Sequence, residues 1–159
     1  MSTTTISLPD ASETQQFFSD LVGQNLPTTV LQDDFETFGV AIYADENGIP
    51  VGLIRCDLPG AARLGAVLTR IPRGAVDDCI KTRDFPEHIA ENFDETLNIA
   101  SNLFPNHVER RIALQESATG EKAADLLASV SIDEQYNFTL DITGYGTGCM
   151  GIARLNEAE

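Results

Sequence analysis

A helix-like segment over residues 84–105, DFPEHIAENFDETLNIASNLFP, carries an acid and an amide one turn apart. Because each residue turns an α-helix by about 100°, Glu95 and Asn98 project from one side, together with Glu91 and Asn102. A carboxylate can hold a cation, and an amide can both donate and accept hydrogen bonds. The pair is therefore suited to being presented to another protein, although such residues on a helix surface are more commonly plain solvated side chains.

The opposite side of this segment is apolar, which is typical of a helix that faces a core. The apolar side consists of Ile89, Phe93, Leu97, Ala100, Leu103 and Phe104. Asp84 is predicted to cap the helix, with Pro86 in the first turn and Glu87 at the spacing of a capping box. Pro105 is predicted to end it, because the residue before a proline resists helical geometry.

The net charge of the 159-residue chain is −15, with only ten Lys and Arg residues, and this argues against nucleic acid as a partner. The basic residues are scattered, and Arg110 and Arg111 form the only adjacent pair. The acidity itself is typical of a highly soluble protein or of one adapted to a saline cytoplasm. Nucleic-acid recognition is therefore not expected.

Membrane and metal-binding classes are also disfavoured. No run approaches the roughly 18 apolar residues of a membrane helix, and the first ten residues lack the basic and apolar regions of a signal peptide. The three cysteines, Cys56, Cys79 and Cys149, have no C-x-x-C spacing and are predicted to be buried reduced thiols. These features predict a cytoplasmic protein without membrane association.

Three other features favour structural over chemical roles. The glycine-rich loop over 144–148 lacks a following Gly-Lys-Ser/Thr, so it is predicted to connect two strands and not to bind phosphate. His88 and His107, the two histidines, have no metal or triad spacing and are predicted to lie on the surface. The acidic pairs at 33–34 and 77–78 are predicted to be solvated.

The remaining periodicity predicts one α+β domain over residues 10–156, with a disordered tail over 1–9. Mixed blocks of helices and antiparallel strands favour an antiparallel sheet with the long helices packed on one face. Hydrophobic spacing and turn residues predict helices over 10–22, 58–71 and 75–83, and strands over 38–44, 49–56, 107–115, 136–143 and 149–155. Gly23 lies near the end of the first helix, and Asn47-Gly48 predicts that the first two strands form a hairpin. Residues 116–131 are compatible with either a helix or the start of a strand.

The segment Glu95-Thr96-Leu97-Asn98-Ile99-Ala100-Ser101-Asn102 resembles the E-x-x-N helix of the CheC/CheX/FliY chemotaxis phosphatases. The order of elements over about residues 36–155 also resembles that family: a hairpin, an acidic turn, the small-residue helix in CDLPGAARLGAVLTRIP, and then the motif helix. A single motif helix is similar to the CheX branch. The family usually has Asp or Ser where this chain has Glu91, and a proline where it has Glu121.

The resemblance implies a protein of two-component signalling that dephosphorylates the phospho-aspartate of a response-regulator receiver domain. Asn98 would orient the attacking water, and Glu95 would hold the receiver's active-site lysine, with Glu91 and Asn102 as partner-binding residues beside them. Magnesium would belong to the receiver, so no cofactor or metal of the chain's own is expected. A homodimer is compatible with this class. Two alternatives stay open: a catalytically silent adaptor for a receiver or signalling partner, and an unrelated α+β domain with an accidental motif.

Overall fold

The computed structural model describes residues 6–104 and 111–156. Its strands are β1 (Thr28–Val30), β2 (Gly39–Ala44), β3 (Pro50–Cys56), β4 (Ala113–Thr119), β5 (Ile132–Ile142) and β6 (Gly146–Leu155). Its helices are α1 (Ala11–Val22), α2 (Leu58–Val67), α3 (Arg73–Thr82), α4 (Glu87–Ile99) and α5 (Glu121–Ala128), and a 3₁₀ turn over Ala100–Leu103 extends α4.

The strands form an antiparallel six-stranded sheet in the order β1-β5-β6-β3-β2-β4. The predicted β2–β3 hairpin is confirmed, and Gly48 takes the positive φ of 77° that its turn requires. Asp45 stabilises that turn by accepting hydrogen bonds from the backbone N–H groups of Asn47 and Ile49. Pro50, which has no N–H to donate, is the first residue of the central strand β3, as its chemistry predicts.

The two faces of the sheet are covered unequally. Helices α1, α2 and α4 pack on one face over the main core, in which Phe18, Ile54 and Leu64 are almost fully buried. The other face carries a smaller cluster beneath α5, which includes Leu53 and Ala123. The α+β class with the longer helices on one face is therefore confirmed, and the short helix α5 covers part of the opposite face.

The N-terminal end differs from its prediction. Ile6 is only 4% exposed, and its carbonyl oxygen accepts a hydrogen bond from Arg154 Nη1. The predicted disordered tail is therefore wrong for residues 6–9, because Ile6 finds an apolar site in the main core; residues 1–5 lie outside the described residues. The first helix is as predicted, with Asp10 and Glu13 forming a capping box and Gly23 ending the helix.

The boundaries of the motif helix also differ. Helix α4 begins at Glu87, and Pro86 occupies its N-cap without a side-chain hydrogen bond, so the predicted cap at Asp84 is wrong. Asp84 lies two residues upstream of the N-cap, because Pro86 already sets the extended backbone that precedes the first turn. At the other end the α-helix gives way to the 3₁₀ turn after Ile99, and Pro105 lies outside the described residues.

The C-terminal half follows the predicted order with shifted limits. The strand expected over 107–115 is β4, which runs from Ala113 to Thr119, and residues 107–110 lie outside the described residues. The ambiguous stretch 116–131 contains the end of β4 and helix α5. The predicted connection between two strands is confirmed, but it is shorter than the glycine-rich segment: residues 143–145 join β5 to β6, and residues 146–148 already belong to β6. Among the helices described, none has both the length and the apolar character required to cross a membrane.

Candidate functional site

Helix α4 is fixed to the sheet from below. The Phe93 ring lies against Gly39 on β2, where an added Cβ would stand 2.8 Å from the ring atom Cε2. One helical turn later, the buried Tyr43 hydroxyl donates to the Leu97 carbonyl oxygen at 2.6 Å. Burial raises the pKa of Tyr43 well above its usual range, so the hydroxyl keeps the proton that it donates. The C-terminal half of α4 therefore has a fixed height and direction on the sheet.

Helix α4 is also joined to α2 along its side. The backbones approach so closely that a Cβ on Gly65 would stand 2.5 Å from the Ile89 carbonyl oxygen, and only glycine fits there. Asn92 Nδ2 donates to the Gly65 carbonyl oxygen and to Thr69 Oγ1, each at 2.8 Å. Asn92 was noted in the sequence only as part of the motif helix, and these contacts give it a structural role.

The predicted site residues lie on the outer side of this anchored helix. Glu91, Glu95, Asn98 and Asn102 are all exposed. Glu95 and Asn98 are separated by about 4.5 Å along the axis and about 60° around it. Asn102 lies on the 3₁₀ turn, so the α-helical angle no longer gives its direction. Within residues 6–104 and 111–156, neither the Glu95 carboxylate nor the Asn98 side-chain amide has a hydrogen-bond or ion-pair partner.

A second acid and amide with the same spacing, Glu13 and Gln16 on α1, provide an internal comparison. Glu13 completes the capping box with Asp10, and Gln16 Nε2 donates to Asp20 Oδ1 at 2.7 Å. Their hydrogen-bonding groups are therefore engaged within α1. The polar groups of Glu95 and Asn98 are the ones left available to an approaching molecule.

The surface around the pair is acidic. Glu87, Glu91, Asp94 and Glu95 are exposed on α4, which contains no Lys or Arg. Asp94 faces β4, where Ser117 Oγ donates to it at 3.4 Å. This charge favours the approach of a basic group on a partner and disfavours binding of a free anion.

Glu95 and Asn98 do not line the main open grooves found on the described part of the protein. Three open grooves on the described part of the protein have volumes of about 810, 580 and 510 Å³, and none is lined by Glu95 or Asn98. In the described ranges there is also no group of three His, Cys, Asp or Glu side chains placed to hold a metal ion. The arrangement can therefore orient or bind atoms that belong to a partner, but it does not enclose a small substrate.

The sequence analysis missed a buried cation on the other face of the sheet. Arg55 is 5% exposed, and its Nη1 donates to the Phe35 carbonyl oxygen at 3.2 Å and to Thr37 Oγ1 at 2.7 Å. Its Nη2 forms an ion pair with Asp34, and its guanidinium lies 4.1 Å from the Phe35 ring centroid. A lone Arg in an apolar strand was the available signal. Asp34 and Asp77 are exposed to solvent, as predicted, and each also forms an ion pair, Asp34 with Arg55 and Asp77 with Arg73.

The thiols and the described histidine agree with their predicted roles. Cys56 and Cys79 are buried, and Cys149 is partly buried. Burial, followed by the nearby Asp57 carboxylate, raises the pKa of Cys149 to about 11, which keeps it a neutral thiol. His88 is exposed, and His107 lies outside the described residues.

No known protein-family profile matches this sequence, and no curated protein sequence matches it. Solved structures do match its fold. A chain of the FliM–SpeE complex from H. pylori aligns with a TM-score of 0.62 at 12% identity, over 91% of this chain and 81% of that one. The FliM middle domain from Vibrio alginolyticus aligns with a TM-score of 0.58 at 12% identity, over 90% and 86%.

A weaker match is a chain of the CheX–CheY–BeF3–Mg complex from Borrelia burgdorferi, with a TM-score of 0.47 at 13% identity, over 91% of this chain and 94% of that one. The two FliM matches carry the conclusion, because they span most of both chains. They show that the architecture of this chain is shared with these solved structures. The chain has the CheC/CheX/FliM fold.

Proposed function

We propose that this chain binds a response-regulator receiver domain through α4 and accelerates hydrolysis of its phospho-aspartate. The observation that supports this most strongly is that the polar groups of Glu95 and Asn98 are available to a partner. Both are exposed and, within the described residues, unpartnered, on a helix anchored by Tyr43 and Asn92. A helix that is anchored by tertiary contacts and carries free polar groups is suited to entering a partner's pocket, since less of it must be ordered on binding.

Asn98 orients the attacking water in this proposal. The water oxygen forms a bond to phosphorus while the bond from phosphorus to the aspartyl oxygen breaks, which releases phosphate and the free carboxylate. The water proton leaves with the phosphate or passes to solvent. An amide suits this role because it holds water by hydrogen bonds without removing its proton. Phosphoryl transfer depends mainly on positioning and charge stabilisation, so no nucleophile of this chain is needed.

Glu95 holds the receiver's active-site lysine and thereby fixes how the two proteins dock. The acidic surface of α4 supports the approach of a cationic group. The magnesium of the reaction would come with the receiver. Proteins of this fold occur in complexes with other proteins, as in the FliM–SpeE structure, which supports a protein partner for this chain.

The test compares wild type with Asn98→Ala on receiver domains phosphorylated by a small-molecule phosphodonor. Loss of the positioned amide should lower kcat by about 100-fold with little change in KM. Gln16→Ala on α1 is the matched control, because Gln16 has the same spacing from an acid but is bonded within its own helix. Equal dephosphorylation rates for wild type and Asn98→Ala, with every receiver tried, would discard the enzymatic function.

The second candidate function is a catalytically silent adaptor that binds a receiver domain. It is favoured by Glu91 and Glu121, the two positions at which this chain departs from the pattern of the phosphatases. Glu91 places another exposed carboxylate one turn from Glu95, which adds attraction for a cation but no group that orients water. Glu121 is the first residue of α5, a position that also accepts proline, so its identity leaves the fold unchanged. An adaptor would bind the phosphorylated receiver and leave its phosphate lifetime unchanged or longer.

A further inference from the structure

We propose that Asn92 is a positioning residue for the reaction proposed above: it locks α4 against α2 so that Glu95 and Asn98 reach the partner together. The inference rests on that proposed function. Its structural basis is the pair of 2.8 Å hydrogen bonds from Asn92 Nδ2 to the Gly65 carbonyl oxygen and to Thr69 Oγ1.

The first acceptor lies at the end of α2. The last four carbonyl groups of an α-helix lack partners within the helix, and Gly65 is in the last turn of α2, which ends at Val67. Asn92 therefore caps α2 from the side of a neighbouring helix. Thr69 lies just beyond that end, so the same amide also fixes the chain where it leaves α2.

The lock acts on the rotation of α4 about its own axis. The contact of Gly65 with Ile89 sets how closely the helices approach, and the Tyr43–Leu97 hydrogen bond holds α4 to the sheet. Neither contact lies on the side of α4 next to Glu95. Asn92 is three residues before Glu95 and about 60° from it around the helix, so it restrains the side that carries the site.

Asn92 also connects this restraint to the interior. Its carbonyl oxygen accepts a hydrogen bond from the Thr96 hydroxyl at 3.0 Å, and Thr96 is 1% exposed. Thr96 lies directly between Glu95 and the core side of the helix. A rotation of α4 that breaks the Asn92 contacts would thus shift Glu95 and Asn98 relative to a docked partner, and misplacements of about 1 Å can slow a reaction by about 100-fold.

The substitution Asn92→Ala separates positioning from stability. Alanine is a better helix former than asparagine, so its propensity gain offsets part of the loss of the two hydrogen bonds, and the melting temperature should fall by only a few degrees. With phosphorylated receiver as substrate, we expect kcat to fall about tenfold and KM to stay within about threefold. Asn102→Ala removes an exposed amide that is expected to touch the partner, so it shows the effect of losing partner contact alone.

Thr69 distinguishes positioning from direct contact between Asn92 and the partner. Thr69→Val has nearly the same shape but no acceptor, and should lower kcat about threefold; Thr69→Ser keeps the acceptor and should restore the wild-type rate. The effects of Asn92→Ala and Thr69→Val on kcat should be less than additive in the double variant, because both substitutions break the same hydrogen bond between Asn92 and Thr69. These Thr69 variants also decide the question if Asn92→Ala fails to fold.

The possible failures are distinguishable. If Asn98→Ala lowers kcat about 100-fold while Asn92→Ala equals wild type, positioning by Asn92 is wrong and the phosphatase function stands. If Asn92→Ala is slow but Thr69→Val equals Thr69→Ser, the contact with Thr69 does not position α4, which overturns the inference as stated. If Asn98→Ala equals wild type, the proposed function fails and this inference fails with it.

Discussion

The contact between α2 and α4 yields a prediction whose sign opposes ordinary helix propensity. Gly65 lies inside α2, where alanine would normally be the better residue. Gly65→Ala, however, would place a Cβ 2.5 Å from the Ile89 carbonyl oxygen and 2.8 Å from Ile89 Cγ2. The backbone oxygen cannot rotate away as a side-chain tip can, so the two helices must separate.

The expected magnitude is the difference between two terms. Alanine gains about 1 kcal/mol over glycine inside a helix. Forcing a methyl group into a packed contact costs about 1–3 kcal/mol, and a clash with backbone on a fully buried partner belongs at the upper end of that range. We therefore expect Gly65→Ala to destabilise the protein by about 1–2 kcal/mol.

Urea unfolding followed by circular dichroism measures this difference, with Gly74→Ala as the matched control. Gly74 lies in the first turn of α3, and an added Cβ there meets no atom within 4 Å. That variant should be stabilised by about 0.4–1 kcal/mol, because alanine reduces the freedom of the unfolded chain. If Gly65→Ala is stabilised as much as Gly74→Ala, the close approach of α2 and α4 is wrong, and so is the lock built on it.

Two further predictions concern titratable groups. The pKa of Asp34 in the folded protein is lowered, mainly by the hydrogen bond from Arg55 and to a smaller extent by the one from the Phe35 backbone N–H. The ionised carboxylate therefore stabilises the fold at pH values above the unfolded-state pKa of Asp34. This stabilisation is lost as the pH falls through the folded-state pKa. Melting temperatures of Asp34→Asn should therefore lie below wild type at pH 7 and converge with it in acid, and a constant gap would contradict the ion pair. A Cys149 pKa of about 11 leaves roughly 100-fold less thiolate at pH 8 than the usual pKa of 9.0. Labelling by a disulfide reagent, located by peptide mapping, should be correspondingly slow in the native protein and fast in urea; rapid native labelling at pH 8 would show the thiol to be ionised.

Much of the fold was predictable because its signals are local. The Asn-Gly turn specified the β2–β3 hairpin, Asp10 and Gly23 marked the ends of α1, and alternation marked β5. The order of strands depends on long-range pairing, which no local pattern contains. The hydrogen bonds from Arg55 to residues 34–37 were unpredictable for the same reason, since these acceptors lie about 20 residues away in the chain.

The outward side of α4 was predictable from helical geometry alone, but its anchoring was not. Periodicity places Phe93 inward and Glu95 outward, and the structure agrees. The sequence showed Asn92 only as a poor helix former in an otherwise good helix. Its partners, Gly65 and Thr69, belong to another helix and its exit, so their contact arises only when α2 and α4 pack.

The two acid–amide pairs show why spacing alone does not define a site. Glu13 and Gln16 have the same separation on a helix as Glu95 and Asn98, yet capping and a neighbouring Asp20 use their polar groups. Because a hydrogen bond within the protein must be broken before a group can serve a partner, an engaged pair begins with an energetic disadvantage that a free pair lacks. The tertiary structure therefore distinguishes the two pairs. It leaves the side chains of Glu95 and Asn98 without partners among the described residues, whereas the neighbouring Asn92 side chain holds their helix in place. The proposed function requires this arrangement on α4, because it needs two free polar side chains on a helix that is held in place.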